Sequence, residues 1–125
     1  KLHAAGEDYL EAILVLQKKQ GMVRFGMLLG RGGFKASVYH AMTTLREGGF
    51  LTMDSDYFLH LTDAGRKVAE QIFEKHCFFT DRLIEAGVDP VTTEKDAFRM
   101  EHVISQKSFE RLRDAYKTKR NDPPA

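Results

Sequence analysis

The chain has 125 residues, 42% of them hydrophobic and 30% charged, with a formal net charge of +1. That balance belongs to a folded protein of one or two small domains and excludes a disordered chain. No apolar run approaches the roughly 20 residues of a bilayer span, and no secretory signal pattern is present. The single cysteine, Cys77, excludes an intrachain disulfide and fits a reducing compartment, so the expected location is the cytoplasm.

Residues 7–20 predict a helix. Strong helix formers fill it, acids occupy its first turn, Lys18 and Lys19 its last, and Gly21 stops it. A short helix is expected over 25–31, followed by a Gly32-Gly33 turn. A third helix over 35–47 sets Val38, Ala41, Met42 and Leu45 at core spacing and ends at Gly48-Gly49. The period then changes. Leu51, Met53, Tyr57, Leu59 and Leu61 alternate about the polar turn Asp54-Ser55-Asp56, which predicts a hairpin. Thr62 caps a long helix reaching Ala86, with Gly87 as its stop. Asp89-Pro90 opens a helix to Ile104, and Ser105 caps a last one through Thr118 before a frayed tail over 121–125. The expected fold is mostly α with a small β-hairpin wing, in the order of a winged helix-turn-helix with further helices behind it.

Charge is unevenly spread. Residues 12–50 carry six basic side chains (Lys18, Lys19, Arg24, Arg31, Lys35, Arg46) against one acid, Glu47, whereas 51–125 carry 12 basic and 14 acidic ones. A basic first part on a near-neutral chain suggests a polyanion-binding module, although an ordinary solvated basic surface gives the same count.

Five groups on three predicted helices stand where apolar residues belong. His76 falls inside the stripe Ala69, Ile72, Phe73, Phe79, Leu83. Glu101 shares a face with Ala97 and Ile104, and His102 follows it. Asp8 and Glu11, three apart, share a face with Ala12 and Val15. A buried carboxylate is costly unless paired, so these five could satisfy one another through a divalent cation. An oxygen-rich set without thiolate suits Mn²⁺ or Fe²⁺ better than structural zinc. The same pattern also describes a satisfied core histidine and first-turn carboxylates facing the helix dipole. Ligands inside apolar stripes leave no open cleft for a metal-dependent hydrolase. Residues 30–37 lack the Gly-Lys-Ser/Thr ending of a phosphate loop. An enzyme is not expected. Cys77 reads as a small core residue, and Phe78 and Phe79 as core or dimer interface.

Several motifs occur in a telling order: Glu7-Asp8-Tyr9-Leu10-Glu11-Ala12-Ile13, Ser37-Val38, Leu45-Arg46-Glu47-Gly48-Gly49-Phe50, Leu59-His60-Leu61-Thr62, Lys75-His76 and Met100-Glu101-His102-Val103-Ile104-Ser105. Their order and spacing resemble the diphtheria toxin repressor family of iron- and manganese-dependent transcriptional repressors, in its shorter, manganese-responsive form. The resemblance implies a winged helix-turn-helix DNA-binding domain over 1–62 and a helical metal-binding and dimerisation domain over 63–125. It places Asp8, Glu11, His76, Glu101 and His102 at ligand positions. Asp at position 8, where the iron-responsive branch tends to carry Met, points toward Mn²⁺, with Fe²⁺ as the alternative. Three positions depart from the pattern. Phe98 stands on the face of Glu101 and His102 where the family has a metal-binding Glu or Cys, and Thr80 and Glu94 differ from ancillary-site residues of the iron-responsive branch. The five remaining ligands are expected to hold one ion; alternatively Phe98 closes the pocket, no cofactor binds and the switch is lost. The family also usually has one more residue, and a Pro, before Ser37-Val38. With Gly26, Gly30, Gly32 and Gly33 crowding the second helix, that helix is expected to be short or irregular.

On the third helix, Ala36, Tyr39, His40, Thr43 and Arg46 face away from the core stripe, with Lys35 and Ser37 at its N-terminus, as a recognition helix in the major groove requires, although a solvated face on an ordinary helix gives the same pattern. Lys35 and Ser37 suit phosphates, and Tyr39, His40 and Thr43 suit base edges. Asp54 and Asp56 at the wing tip repel phosphate, so the wing should add little. The expected function is a metal-dependent repressor of metal-homeostasis genes. It would bind double-stranded operator DNA as a homodimer joined through the C-terminal helices, with no membrane and no small-molecule substrate among its partners.

Overall fold

The structure, a computed structural model, describes residues 2–29 and 35–121. The expected Gly32-Gly33 turn and nearly all of the frayed tail lie outside the described residues. The chain divides into two compact units, Lys1–Ile72 and Phe73–Ala125.

The first unit holds α1 (Ala4–Gln20), β1 (Val23–Arg24), α2 (Phe25–Leu29), α3 (Lys35–Glu47), β2 (Leu51–Met53), β3 (Phe58–Leu61) and the start of α4 (Asp63–Glu85). Helix α1 begins three residues before the expected start: Glu7 donates its N–H to the His3 carbonyl at 3.1 Å, and His3 offers no side-chain cap. Gly21, at φ +85°, ends it in a conformation a side chain would resist. The core gathers Leu10, Ile13 and Leu14 of α1, Leu28 of α2, Val38, Met42 and Leu45 of α3, and Val23, Leu51 and Leu59 of the strands, all essentially fully buried. Each such side chain contributes roughly 1.5–3 kcal/mol on burial. Helix α2 is described over Phe25–Leu29; of the glycines expected to shorten it, Gly30, Gly32 and Gly33 lie outside the described residues.

The wing is a three-stranded antiparallel sheet of order β1-β3-β2, with Val23 opposite Leu59 and Thr52 opposite His60. The expected hairpin is present, joined by a third strand. Tyr57 is not part of the alternation. It sits at φ +66°, is exposed, and belongs to the turn, where its N–H donates to the Asp54 carbonyl at 3.0 Å. Asp54 organises that turn: one carboxylate oxygen accepts from the N–H groups of Asp56 (2.9 Å) and Phe58 (3.1 Å), and the other lies 3.0 Å from His60 Nε2. The His60 contact, then the Phe58 N–H, hold the Asp54 carboxyl below the usual carboxylate range. Thr62 caps α4 as expected, its hydroxyl donating to the Gly49 carbonyl (2.7 Å) and accepting from the Gly65 N–H (3.1 Å).

The second unit is helical: the remainder of α4, then α5 (Pro90–Val103) and α6 (Gln106–Asn121). Gly87, at φ +91°, closes α4, and Asp89 caps α5 by accepting from the Thr92 N–H at 2.9 Å, with Pro90 in its first turn. The Ser105 hydroxyl accepts from the Ser108 N–H at 3.1 Å and opens α6. Phe79, Ala97 and Phe109 form the core, flanked by Phe78, Leu83, Met100 and Ile104. Phe109 meets Phe78 and Phe79 edge-on, with centroids 5.5 and 6.0 Å apart. Outside this core, the Arg82 guanidinium lies 3.9 Å over Tyr116 and pairs with Glu85, tying α6 to α4. Cys77 is exposed, against the expectation of a core position, because it lies on the side of α4 turned away from Phe79.

Candidate metal centre

Two turns, one on α4 and one at the end of α5, bring three predicted ligands together in the second unit. His76 Nδ1 stands 3.2 Å from one carboxylate oxygen of Glu101, and His102 Nε2 stands 3.7 Å from the other. The helical period explains the placement: His76 lies within the stripe containing Ile72 and Phe79, and Glu101 is one turn beyond Ala97 on the buried side of α5. The Glu101 side chain is fully enclosed, and neither of its oxygens accepts a hydrogen bond from the described residues. The imidazole of His102 is 5% exposed and that of His76 one third exposed, while the nitrogens that face Glu101 are themselves buried.

A buried carboxylate with no hydrogen-bond donor is costly. A divalent cation removes that cost, since it takes an anionic oxygen and neutral imidazole nitrogens at once. His76 and Glu101 are of the kind and proximity to share an ion. The donor set therefore fits a hard or borderline divalent metal.

The other two predicted ligands, Asp8 and Glu11, lie on α1 in the first unit. Asp8 is half-buried and Glu11 is buried. Phe98 is 43% exposed, and its ring meets the His102 ring edge-on with centroids 4.9 Å apart. It lies on the rim, against His102, and leaves the 3.2 Å approach of His76 to Glu101 intact. Lys75, named from sequence only within the Lys75-His76 motif, is 6% exposed, and its ammonium donates to the Ile104 carbonyl at 3.4 Å. Its place between Ile72 and Phe79 on the apolar stripe was the available signal.

In the first unit, α3 presents Lys35, Ala36, Ser37, Tyr39, His40 and Arg46 to solvent, with Thr43 partly covered, while Val38, Met42 and Leu45 point into the core. The Thr43 hydroxyl donates to the Tyr39 carbonyl at 3.0 Å, and the Tyr39 ring rests edge-on against Phe25 at 6.2 Å. An open groove beside this face is lined by Tyr39, Thr43, Arg46 and the acidic Glu47 of α3 and by Leu51, Thr52 and Met53 of β2. Among the described residues, no helix is long and apolar enough to cross a membrane.

Winged-helix architecture followed by a helical unit with a carboxylate–imidazole cluster defines a class: transcriptional regulators that carry a metal-binding domain. Comparison with known proteins narrows it. The family described as "Iron dependent repressor, metal binding and dimerisation domain" matches residues 62–124. The transcriptional regulator MntR of Salmonella typhimurium is 30% identical over 105 residues, 83% of this chain and 67% of that protein. Among solved structures, the manganese regulator SloR superposes with a TM-score of 0.75 at 21% identity, over 90% of this chain and 53% of that one. A manganese-dependent transcriptional repressor in complex with manganese gives 0.73 at 27% identity, over 86% and 50%. The chain spans about half the length of those two solved regulators. It belongs to the iron-dependent repressor family, whose members are transcriptional regulators and not enzymes.

Proposed function

We propose that the chain is a metal-dependent transcriptional repressor of metal-homeostasis genes, acting in the cytoplasm as a homodimer joined through its C-terminal helices. The observation that carries this reading is Glu101: a fully enclosed carboxylate that accepts no hydrogen bond from the described residues and faces two imidazoles, in the part of the chain that matches a metal-binding domain. The bound ion supplies the positive charge that this carboxylate lacks. Mn²⁺ is the favoured ion and Fe²⁺ the alternative, on the oxygen-rich donor set and on the manganese-dependent relative. Glu101, His76 and His102 supply one carboxylate and two neutral nitrogens. Asp8 and Glu11 are assigned as the remaining oxygen ligands on their residue types and on the family resemblance. Residues 1–62 are assigned to DNA and 63–125 to metal and dimerisation.

On DNA, α3 would enter the major groove of a double-stranded operator. Lys35 and Ser37 would hold phosphates, and Tyr39, His40 and Thr43 would reach base edges, with Ala36 and Arg46 on the same face. A dimer would set two such helices about one helical turn apart. Metal binding tighter in the DNA-competent state than in the other shifts the population toward it.

The test is an equilibrium Mn²⁺ titration of chelator-stripped protein, followed by selection of duplexes from a random pool with Mn²⁺ or with chelator. Saturable binding, and enrichment of a two-fold symmetric sequence only with Mn²⁺, is the expected result. Equal enrichment in chelator would show DNA binding without a metal switch, and unchanged Mn²⁺ affinity in Asp8→Ala would remove Asp8 from the ligand set.

A further inference from the structure

We infer that Lys75 is a positioning residue for the metal centre: it holds the C-terminal end of α5, and with it Glu101 and His102, against the turn of α4 that carries His76. The inference rests on the metal-centre reading above and adds a residue to it.

Lys75 occupies the apolar stripe of α4 and is 6% exposed. Among the described residues, the acceptor its ammonium reaches is the carbonyl of Ile104, at 3.4 Å. Ile104 is the C-cap of α5, where the backbone turns extended at φ −82° and ψ 138°. The last carbonyls of a helix lack intrahelical donors and carry the negative end of its dipole, so an ammonium is a fitting partner there. The placement is narrow on both sides. Lys75 immediately precedes His76, and Ile104 follows Glu101 by three residues and His102 by two. The link therefore fixes, one turn away, the distance across which His76 Nδ1 and the Glu101 carboxylate face each other, 3.2 Å.

Stability alone does not account for it. Burying an ammonium for one long hydrogen bond costs more than burying an apolar side chain of the same length. A methionine would fill the stripe more cheaply. What the ammonium adds is direction: it specifies where the end of α5 lies relative to α4. Partners that orient metal ligands without touching the ion commonly control affinity by 10–100-fold.

The test uses the whole chain, stripped with chelator, and three proteins: the natural sequence, Lys75→Met and Lys75→Arg. Mn²⁺ affinity is read by competition with a chelating dye, and metal-free stability by thermal unfolding in chelator. The expected result is that Lys75→Met melts at or above the natural protein when metal-free, yet binds Mn²⁺ at least about tenfold more weakly. Lys75→Arg, which can still donate to the Ile104 carbonyl, should recover most of that loss. Undiminished Mn²⁺ affinity in Lys75→Met overturns the inference, and so does a failure of Lys75→Arg to recover it. A Lys75→Met chain that does not fold also overturns it, because Lys75 would then supply stability rather than position. Absence of Mn²⁺ binding by the natural sequence would instead overturn the metal-centre reading itself.

Discussion

Replacing Glu101 by Met should stabilise the metal-free protein and abolish its response to Mn²⁺. The side chain is enclosed, and neither oxygen accepts a hydrogen bond from the described residues. A buried carboxylate that accepts no hydrogen bond costs about 1–3 kcal/mol, and more when charged. Met fills similar space with no polar atom and adapts to irregular gaps. The variant should therefore gain about 1–3 kcal/mol in chelator, which raises the melting midpoint of a chain this size by roughly 3–12 °C. Mn²⁺ at a hundred times its dissociation constant adds about 2.7 kcal/mol to the natural protein and nothing to the variant. The gap between the two then closes or reverses when Mn²⁺ replaces chelator. Thermal unfolding followed by circular dichroism, run at one fixed pH in chelator and in Mn²⁺, measures both effects. A variant that melts below the natural protein in chelator would refute the reasoning, since the carboxylate would then be well stabilised inside the metal-free chain. Equal stabilisation of both proteins by Mn²⁺ would place the ion elsewhere.

Other outcomes follow from the same geometry. Phe109→Ala, which empties the centre of the second unit's core, should cost about 3–5 kcal/mol in chemical denaturation. Gly65→Ala should destabilise the first unit, because a Cβ there would run into the Phe50 carbonyl oxygen, and backbone must move to admit it; a melting midpoint equal to that of the natural protein would contradict this. Lys35→Ala and Arg46→Ala should each weaken DNA binding, and each that contacts a phosphate should lower the slope of log affinity against log salt by about 1. The turn of the wing should loosen in acid. The Asp54 carboxyl is held below its ordinary value, so its contribution is complete above the unfolded carboxylate range and is lost as pH falls through the lowered value. Amide exchange at Phe58 should accelerate over that acid interval, and Asp54→Asn should remove the pH dependence.

Where periodicity was strong, the sequence and the structure agree closely. Helix α3 spans Lys35–Glu47 as its stripe of Val38, Met42 and Leu45 indicates, and the caps Thr62, Asp89 and Ser105 stand where they were expected. Strand β1 was invisible because two residues, Val23 and Arg24, carry no period; its existence is decided by pairing with β3, a tertiary event. Tyr57 looked like a strand residue by type and spacing, yet the Asp54 carboxylate draws the following N–H groups into the turn and leaves Tyr57 at positive φ. The gathering of His76, Glu101 and His102 was legible as polar residues interrupting apolar faces. The separation that makes it a cluster depends on how α4 and α5 pack, which no single helix pattern encodes. Lys75 was legible only as part of the Lys75-His76 motif: a lysine on a helix is ordinarily read as solvated, and only the end of α5 shows what its ammonium meets.

The order of the wing's sheet has a bearing on how the protein behaves when crowded. The central position belongs to β3, of four residues, while both edges are short: β1 has two residues and β2 three. Sheet edges invite pairing between molecules, and brevity and positive charge blunt that tendency. Arg24, exposed on β1 with its guanidinium 4.5 Å over the Phe58 ring, sets a charge on one edge and screens an aromatic face from neighbours. Few backbone groups remain at either margin for another chain to extend, so the wing is protected against edge-to-edge growth into aggregates.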